Sequence, residues 1–116
     1  MRYLLLLCGD ESAGAAAGPE MARRCHEWAA EAEGRGVRQG GVGLHPPAEA
    51  KTIRVRDGSV LLTDGPFAET KEQVGGYNIL ECADRSTAVE VASRHPWAAI
   101  GTLELREILD GPPTAS

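Results

Sequence analysis

Asp64 opens the run Asp64-Gly65-Pro66-Phe67, and it is the first residue in this chain that invites a chemical reading. A carboxylate there can serve as a general base if Phe67 shields it from water. Burial disfavours the charged form and raises the carboxyl group's affinity for a proton. The same four residues also make a turn, in which Asp bonds its own backbone, Gly takes positive φ and Pro fixes φ. A histidine is the natural partner for proton transfer near neutral pH. His26 and His45 are the two candidates. His26 falls one position off an apolar helical stripe, which also suits a half-buried structural role. His45 precedes Pro46-Pro47 on a loop, where it either faces Asp64 or is exposed by chance. His95 precedes Pro96 at a helix end and reads as structural, its cationic form matching the helix dipole.

Two further charged groups could hold a substrate. Glu104 and Arg106 alternate with Leu103 and Leu105, so a strand there puts the charged pair on one face and the leucines on the other. Arg106 offers a fork of donors for a carboxylate or enolate oxygen, and its alternative role is an ion pair with Glu104. Glu69, Lys71 and Glu72 form a charged cluster. Lys71 could hold an anionic group, or the cluster is a solvated loop or a dimer salt bridge. Lyase- or isomerase-type chemistry needs little more than acid–base groups and an oxyanion partner.

Other chemistries have no signal. There is no GxGxxG, P-loop or GxSxG motif, and Gly40-Gly41-Val42-Gly43 lacks the Lys and Ser/Thr of a phosphate loop. The three histidines lack HxxxH or HxH spacing. Cys8, Cys25 and Cys82 are odd in number, contain no CxxC, and read as reduced thiols. Cys25 is either a nucleophile or a small buried hydrophobe. Neither a metal nor a nucleotide or redox cofactor is expected. The formal charge of −5, from 17 acidic and 12 basic residues, argues against nucleic-acid binding. Leu4 to Leu7 is too short for a signal peptide, and no run nears the ~20 apolar residues of a membrane span. A soluble, cytoplasmic protein is expected.

The elements that would position these residues follow from periodicity and punctuation. Residues 2 to 8 form an unbroken apolar strand, buried on both faces and so central in a sheet. Residues 9 to 18 read as a loop. Pro19 opens a helix to Glu33 with Met21, Cys25, Trp28, Ala29 and Ala32 as its apolar stripe. Val37 to Leu44 is a glycine-weakened strand. Lys51 to Arg56, Asp57-Gly58 and Val60 to Leu62 make a hairpin. Gly76 to Cys82 is a strand, Asp84 caps a helix running to His95, and Thr102 to Ile108 is the last strand. The 116 residues therefore predict one α+β domain over 1–109, with 110–116 as a frayed tail. Setting the hairpin aside, the order is the βαββαβ pattern of ferredoxin-like folds. Two helices cover one sheet face only. A second copy is the simplest cover for the other, which predicts a homodimer.

The segment Asp64-Gly65-Pro66-Phe67-Ala68-Glu69-Thr70-Lys71-Glu72-Gln73-Val74-Gly75-Gly76-Tyr77 resembles the DGPFxETKExxGG signature of the DGPF-type branch of the YCII-related family. Arg2 to Leu6, Pro19-Glu20-Met21, Gly43-Leu44 with Pro46-Pro47, His95-Pro96 and Gly101 to Arg106 resemble its other landmarks. Asn78 and Arg106-Glu107 depart from it. The resemblance implies a ferredoxin-like fold assembled as a dimeric α+β barrel. It also implies isomerase- or dehydrochlorinase-like relatives for which a His–Asp pair has been proposed. His26 lies on the helix that carries that histidine. A small anionic ligand fits such chemistry. Genes of this type often accompany those for extracytoplasmic-function sigma factors, so the resemblance implies an accessory module as the alternative.

Overall fold

The computed structural model describes residues 1–67 and 72–110. Its elements are β1 (Arg2–Gly9), α1 (Glu11–Ala16), α2 (Pro19–Gly34), β2 (Arg38–Gly43), β3 (Lys51–Arg56), β4 (Ser59–Asp64), β5 (Gln73–Glu81), α3 (Arg85–Ser93) and β6 (Thr102–Glu107). Short 3₁₀ turns lie at Pro47–Glu49 and Pro96–Ala99. Four strands form one antiparallel sheet in the order β2-β5-β1-β6. This mixed α+β arrangement is compatible with a ferredoxin-like fold. β3 and β4 pair with each other in a separate two-stranded sheet.

The alternation along β1 sorts the core. Tyr3 and Leu5 are buried and Leu7 packs against them, on the face that meets the helices. Leu80 of β5 joins them, as do Trp28 and Ala32 of α2 and Ala88, Val91 and Ala92 of α3. Trp28 buries its ring and donates its indole N–H to the Val91 carbonyl at 3.0 Å, which satisfies the one polar atom that burial would otherwise strand. Leu103 and Leu105 pack on this cluster too, so Glu104 and Arg106 face the opposite side. On that side Leu6 lies between Tyr77 and Glu104, and Leu4 lies between Ile79 and Arg106.

The helix ends follow local chemistry. Asp84 accepts the Thr87 backbone N–H at 2.8 Å, the cap expected from its position. Gly36 adopts φ +75° as α2 ends, and Val37 N–H closes onto the Ala32 carbonyl. Two expectations change. Residues 9 to 18 are not all loop: Asp10 caps α1 by accepting the Ala13 N–H at 3.0 Å, and alanines favour the helix. β5 starts at Gln73 rather than Gly76, because Val74 and Gln73 pair with Cys8 and Gly9 beyond a bulge at Leu7/Cys8. The expected tail beyond residue 110 lies outside the described residues. Among the described residues, no helix is long and apolar enough to cross a membrane.

His95 also differs from its expected cationic role. It is 4% exposed, with its ring centroid 4.5 Å from that of Trp28. Burial, and then the nearby Arg38 guanidinium, lower its pKa to about 4. The unfolded chain therefore takes up this proton first, and folding favours the neutral ring. His95's contribution to stability is complete above the ordinary value of 6.5 and is lost as the pH falls toward about 4. Up to roughly 3 kcal/mol is at stake. His95→Asn keeps an acceptor but no titrating ring. Denaturant titrations at pH 7 and pH 4.5 should show a smaller acid loss in this variant than in the parent. Equal losses would place the acid sensitivity elsewhere.

Candidate functional site

A cleft of about 750 Å³ opens where β1 ends and β5 begins. Four stretches remote in sequence line it. Gly9, Asp10, Ser12 and Gly14 come from the β1–α1 junction, and Leu44 to Ala48 follow β2. Gln73, Val74 and Gly75 open β5, and Trp97 comes from the second 3₁₀ turn. The Leu44 N–H donates to the Gly75 carbonyl at 2.9 Å, which ties two walls together. The walls are largely apolar, with a few polar groups among them, as small-molecule sites usually are.

Trp97 is held by two hydrogen bonds and by close packing. Its indole N–H donates to the Cys8 carbonyl at 2.8 Å. Its backbone N–H donates to His95 Nδ1 at 3.1 Å. The ring fits only because two neighbours lack side chains. A Cβ on Gly101 would lie 2.2 Å from Trp97 Nε1 and 2.5 Å from the Cys8 oxygen. A Cβ on Gly9 would lie 2.9 Å from both Trp97 Cζ2 and Ala13 Cβ. Real Cβ atoms do not approach so closely, so both positions exclude even alanine unless the indole and a second neighbour, the Cys8 carbonyl or Ala13, move together.

Four polar side chains line the cleft: Asp10, Ser12, His45 and Gln73. Asp10 Oδ1 accepts from the Ser12 hydroxyl at 2.6 Å and from the Ala13 N–H at 3.0 Å, so this carboxylate is held in place by the helix it caps. His45 stands at the mouth, 89% exposed in its side chain, with Nδ1 3.6 Å from Glu49 Oε2. Gln73 supplies a carboxamide. Among the described residues that line the cleft there is no lysine or arginine.

Of the residues singled out from sequence, His45 lines this cleft and the other described ones do not. Asp64 ends β4 on the hairpin, 83% exposed in its side chain and paired with Lys51 across the ribbon. Phe67 does not shield it. That ring lies under the Arg54 guanidinium, 4.6 Å from carbon to centroid. Gly65 takes φ +92°, as the turn reading of this segment requires. His26 is exposed on α2. Glu104 and Arg106 share the open face of β6, and neither forms an ion pair among the described residues. Lys71 lies outside the described residues. Burial pushes the Cys25 thiol up, and burial followed by Glu104 and Glu72 does the same to Cys8. Neither is an activated thiolate. Among the described residues, no group of three or more His, Cys, Asp or Glu could hold a metal ion.

Sequence reasoning passed over Asp10, Ser12, Gln73 and Trp97. One signal was available. Asp10 and Ser12 directly follow a central strand, and the ends of central strands are where clefts form.

An antiparallel α+β sheet with helices on one face and a cleft at one end defines the class of protein. The chain belongs to the family of the YCII-related domain, whose model matches residues 1–111. It is similar to an uncharacterized protein of Rhizobium meliloti (strain 1021), 34% identical over 96 residues, covering 79% of this chain and 77% of that one.

Gly101→Ala tests the clamp on Trp97. We expect a loss of roughly 2 kcal/mol, the usual scale of overpacking, and a melting midpoint lower by about 8 °C or more. Trp97 emission should shift to longer wavelength. An unchanged midpoint with unchanged emission would show that the turn yields without cost.

Proposed function

We propose that this protein binds a small, mostly apolar organic molecule in the end cleft and moves a proton on it, in lyase- or isomerase-type chemistry. The observation that carries the reading is the joining of a clamped aromatic floor, Trp97, with a few polar groups in one open-mouthed cavity. Trp97, Leu44 and Val74 would bind the body of the ligand. Asp10, with Ser12, and Gln73 would orient its polar end. His45 would carry the proton, since imidazole is the side chain suited to exchange near neutral pH. A strongly anionic ligand fits less well, because the described lining offers no lysine or arginine. The surroundings of Asp64, exposed and paired with Lys51, favour its turn role over a general-base role.

The two tryptophans make a convenient test, because Trp28 is buried in the core and Trp97 lines the cleft. A library of small aromatic and carbonyl compounds should contain members that change Trp97 emission on binding. His45→Ala should weaken such a compound about tenfold, equivalent to about 1.4 kcal/mol. His26→Ala and Asp64→Asn should bind it as the parent does. If binders respond equally to all three substitutions, or none alters Trp97, the reading fails.

The cleft reading goes with assembly as a homodimer through the open sheet face, in the manner of a dimeric α+β barrel. Support comes from Leu4, Leu6, Tyr77 and Ile79, which face away from the helices on the two central strands, and from Val42, half exposed beside them. A patch of this kind on a lone chain marks an interaction surface. Light scattering at micromolar concentration should give twice the chain mass, and Leu6→Glu should halve it. A parent protein that runs as a monomer would refute the assembly. The alternative role, beside an extracytoplasmic-function sigma factor, draws on the same patch and on the acidic net charge of −5. It predicts that Leu6→Glu abolishes capture of such a factor.

A further inference from the structure

His95 is buried, does not line the cleft, and plays no part in the proposed chemistry. Its contacts nonetheless lead straight to the cleft floor. The ring packs on Trp28 in the core. Its Nδ1 accepts the backbone N–H of Trp97. The backbone N–H of His95 donates to the Ala92 carbonyl at 2.9 Å, and the His95 backbone carbonyl accepts the Ala98 N–H at 3.1 Å. Buried Pro96 follows it and starts the turn. The turn that carries Trp97 thus hangs from His95 at one end. At the other end, the Gly101 N–H bonds to the Trp97 carbonyl at 2.8 Å.

An acceptor at Nδ1 settles the tautomer. The proton of the neutral ring must sit on Nε2, since a protonated Nδ1 cannot accept. Adding a second proton turns Nδ1 into a donor facing another donor, the Trp97 N–H. That contact must then open. The charged side chain that acts on the ring is Arg38 of β2. Arg38 donates through Nε to Asn78 Oδ1 at 2.8 Å and pairs with Glu33 of α2. From α2 the ring meets Trp28, which carries no charge. From α3 the Ala92 carbonyl accepts the backbone N–H of His95 and brings no charge to the ring. A cationic ring would therefore face a guanidinium, and the carboxylate nearest to that guanidinium is already engaged with it.

We propose that His95 is a positioning residue for the cleft: its neutral, Nε2-protonated ring fixes the turn that holds Trp97 as the aromatic floor, and protonation releases that floor. The ligand consequence rests on the cleft being a binding site. The hold on Trp97 does not. Burial and Arg38 keep the ring neutral until the pH nears about 4, so the floor stays fixed at physiological pH and loosens only in acid.

Nitrogen-15 spectra of the whole protein test this directly. Two-bond proton–nitrogen correlations should show His95 as the Nε2-protonated tautomer at pH 7. The Trp97 backbone amide and indole signals, assigned with Trp97→Phe, should shift together with the His95 titration while Trp28 and the far-ultraviolet circular dichroism stay native. In His95→Asn, whose Oδ1 can take over the acceptor role, both Trp97 signals should stay constant over the same range. Acrylamide quenching of Trp97 should rise about twofold in acid for the parent and remain flat for the asparagine variant. An Nδ1-protonated tautomer at pH 7 overturns the proposal. So does a His95 titration that leaves Trp97 unmoved, or an equal Trp97 shift in His95→Asn. If Trp97 follows His95 as expected but no library compound perturbs it at any pH, the positioning stands and the binding reading alone falls.

Discussion

One packed layer carries this molecule. Tyr3, Leu5 and Leu80 rise from the two central strands into α2 and α3, and these are the largest fully buried side chains. With aromatics at 4% of the sequence, the core has few large groups to spend. Trp28 is therefore central. It bonds to Val91 of α3 and packs its ring against that of His95. From there the order passes outward to the 3₁₀ turn and to Trp97. The cleft is an outgrowth of the core, joined to it through the Trp28–His95 ring contact and the His95–Trp97 hydrogen bond.

The other side of the sheet follows a different logic. The molecule spans 48 × 37 × 18 Å, and its shortest dimension matches one sheet plus one layer of helices. The hairpin of β3 and β4 adds a second uncovered surface. Ile53, Val55, Val60 and Leu62 lie on one face of the ribbon and are each more than half exposed. Two-stranded ribbons alone are marginal in water. The Lys51–Asp64 pair at the base and the Thr52 hydroxyl on the Gly65 carbonyl, at 2.7 Å, anchor the ribbon at its root. Exposed apolar surface gathered in one place is the kind that marks interaction sites on other proteins.

Most of the fold could be read from the sequence, because period-two and period-3.6 patterns speak for burial directly. Leu103 and Leu105 predicted their own face and so that of Glu104 and Arg106. Asp84 was legible as a cap because the capping bond spans only three residues. The six-residue α1 was obscured by glycines and by its lack of an apolar stripe. The site was harder to read, since Gly9, Leu44, Gln73 and Trp97 meet only through the topology, and no spacing rule joins them. Asp64 drew attention because its motif is distinctive as a string, yet strand pairing sets it at the root of the hairpin, exposed and opposite Lys51. His26 is one step from the stripe, about 100° around a helix, and that rotation turns it to solvent.

The fit of Trp97 between Gly9 and Gly101 has a meaning for how such chains can diverge. A methyl group at either glycine collides with the indole, while a smaller ring at position 97 would leave a void where the indole had been. Shrinking the indole would not open either glycine, because a Cβ at Gly101 also meets the Cys8 carbonyl oxygen at 2.5 Å and one at Gly9 also meets Ala13 Cβ at 2.9 Å. Backbone and helix as well as the ring demand glycine at both positions, so a relative that remodels this cleft for a different ligand should do so at Leu44, Gln73 or Val74 instead.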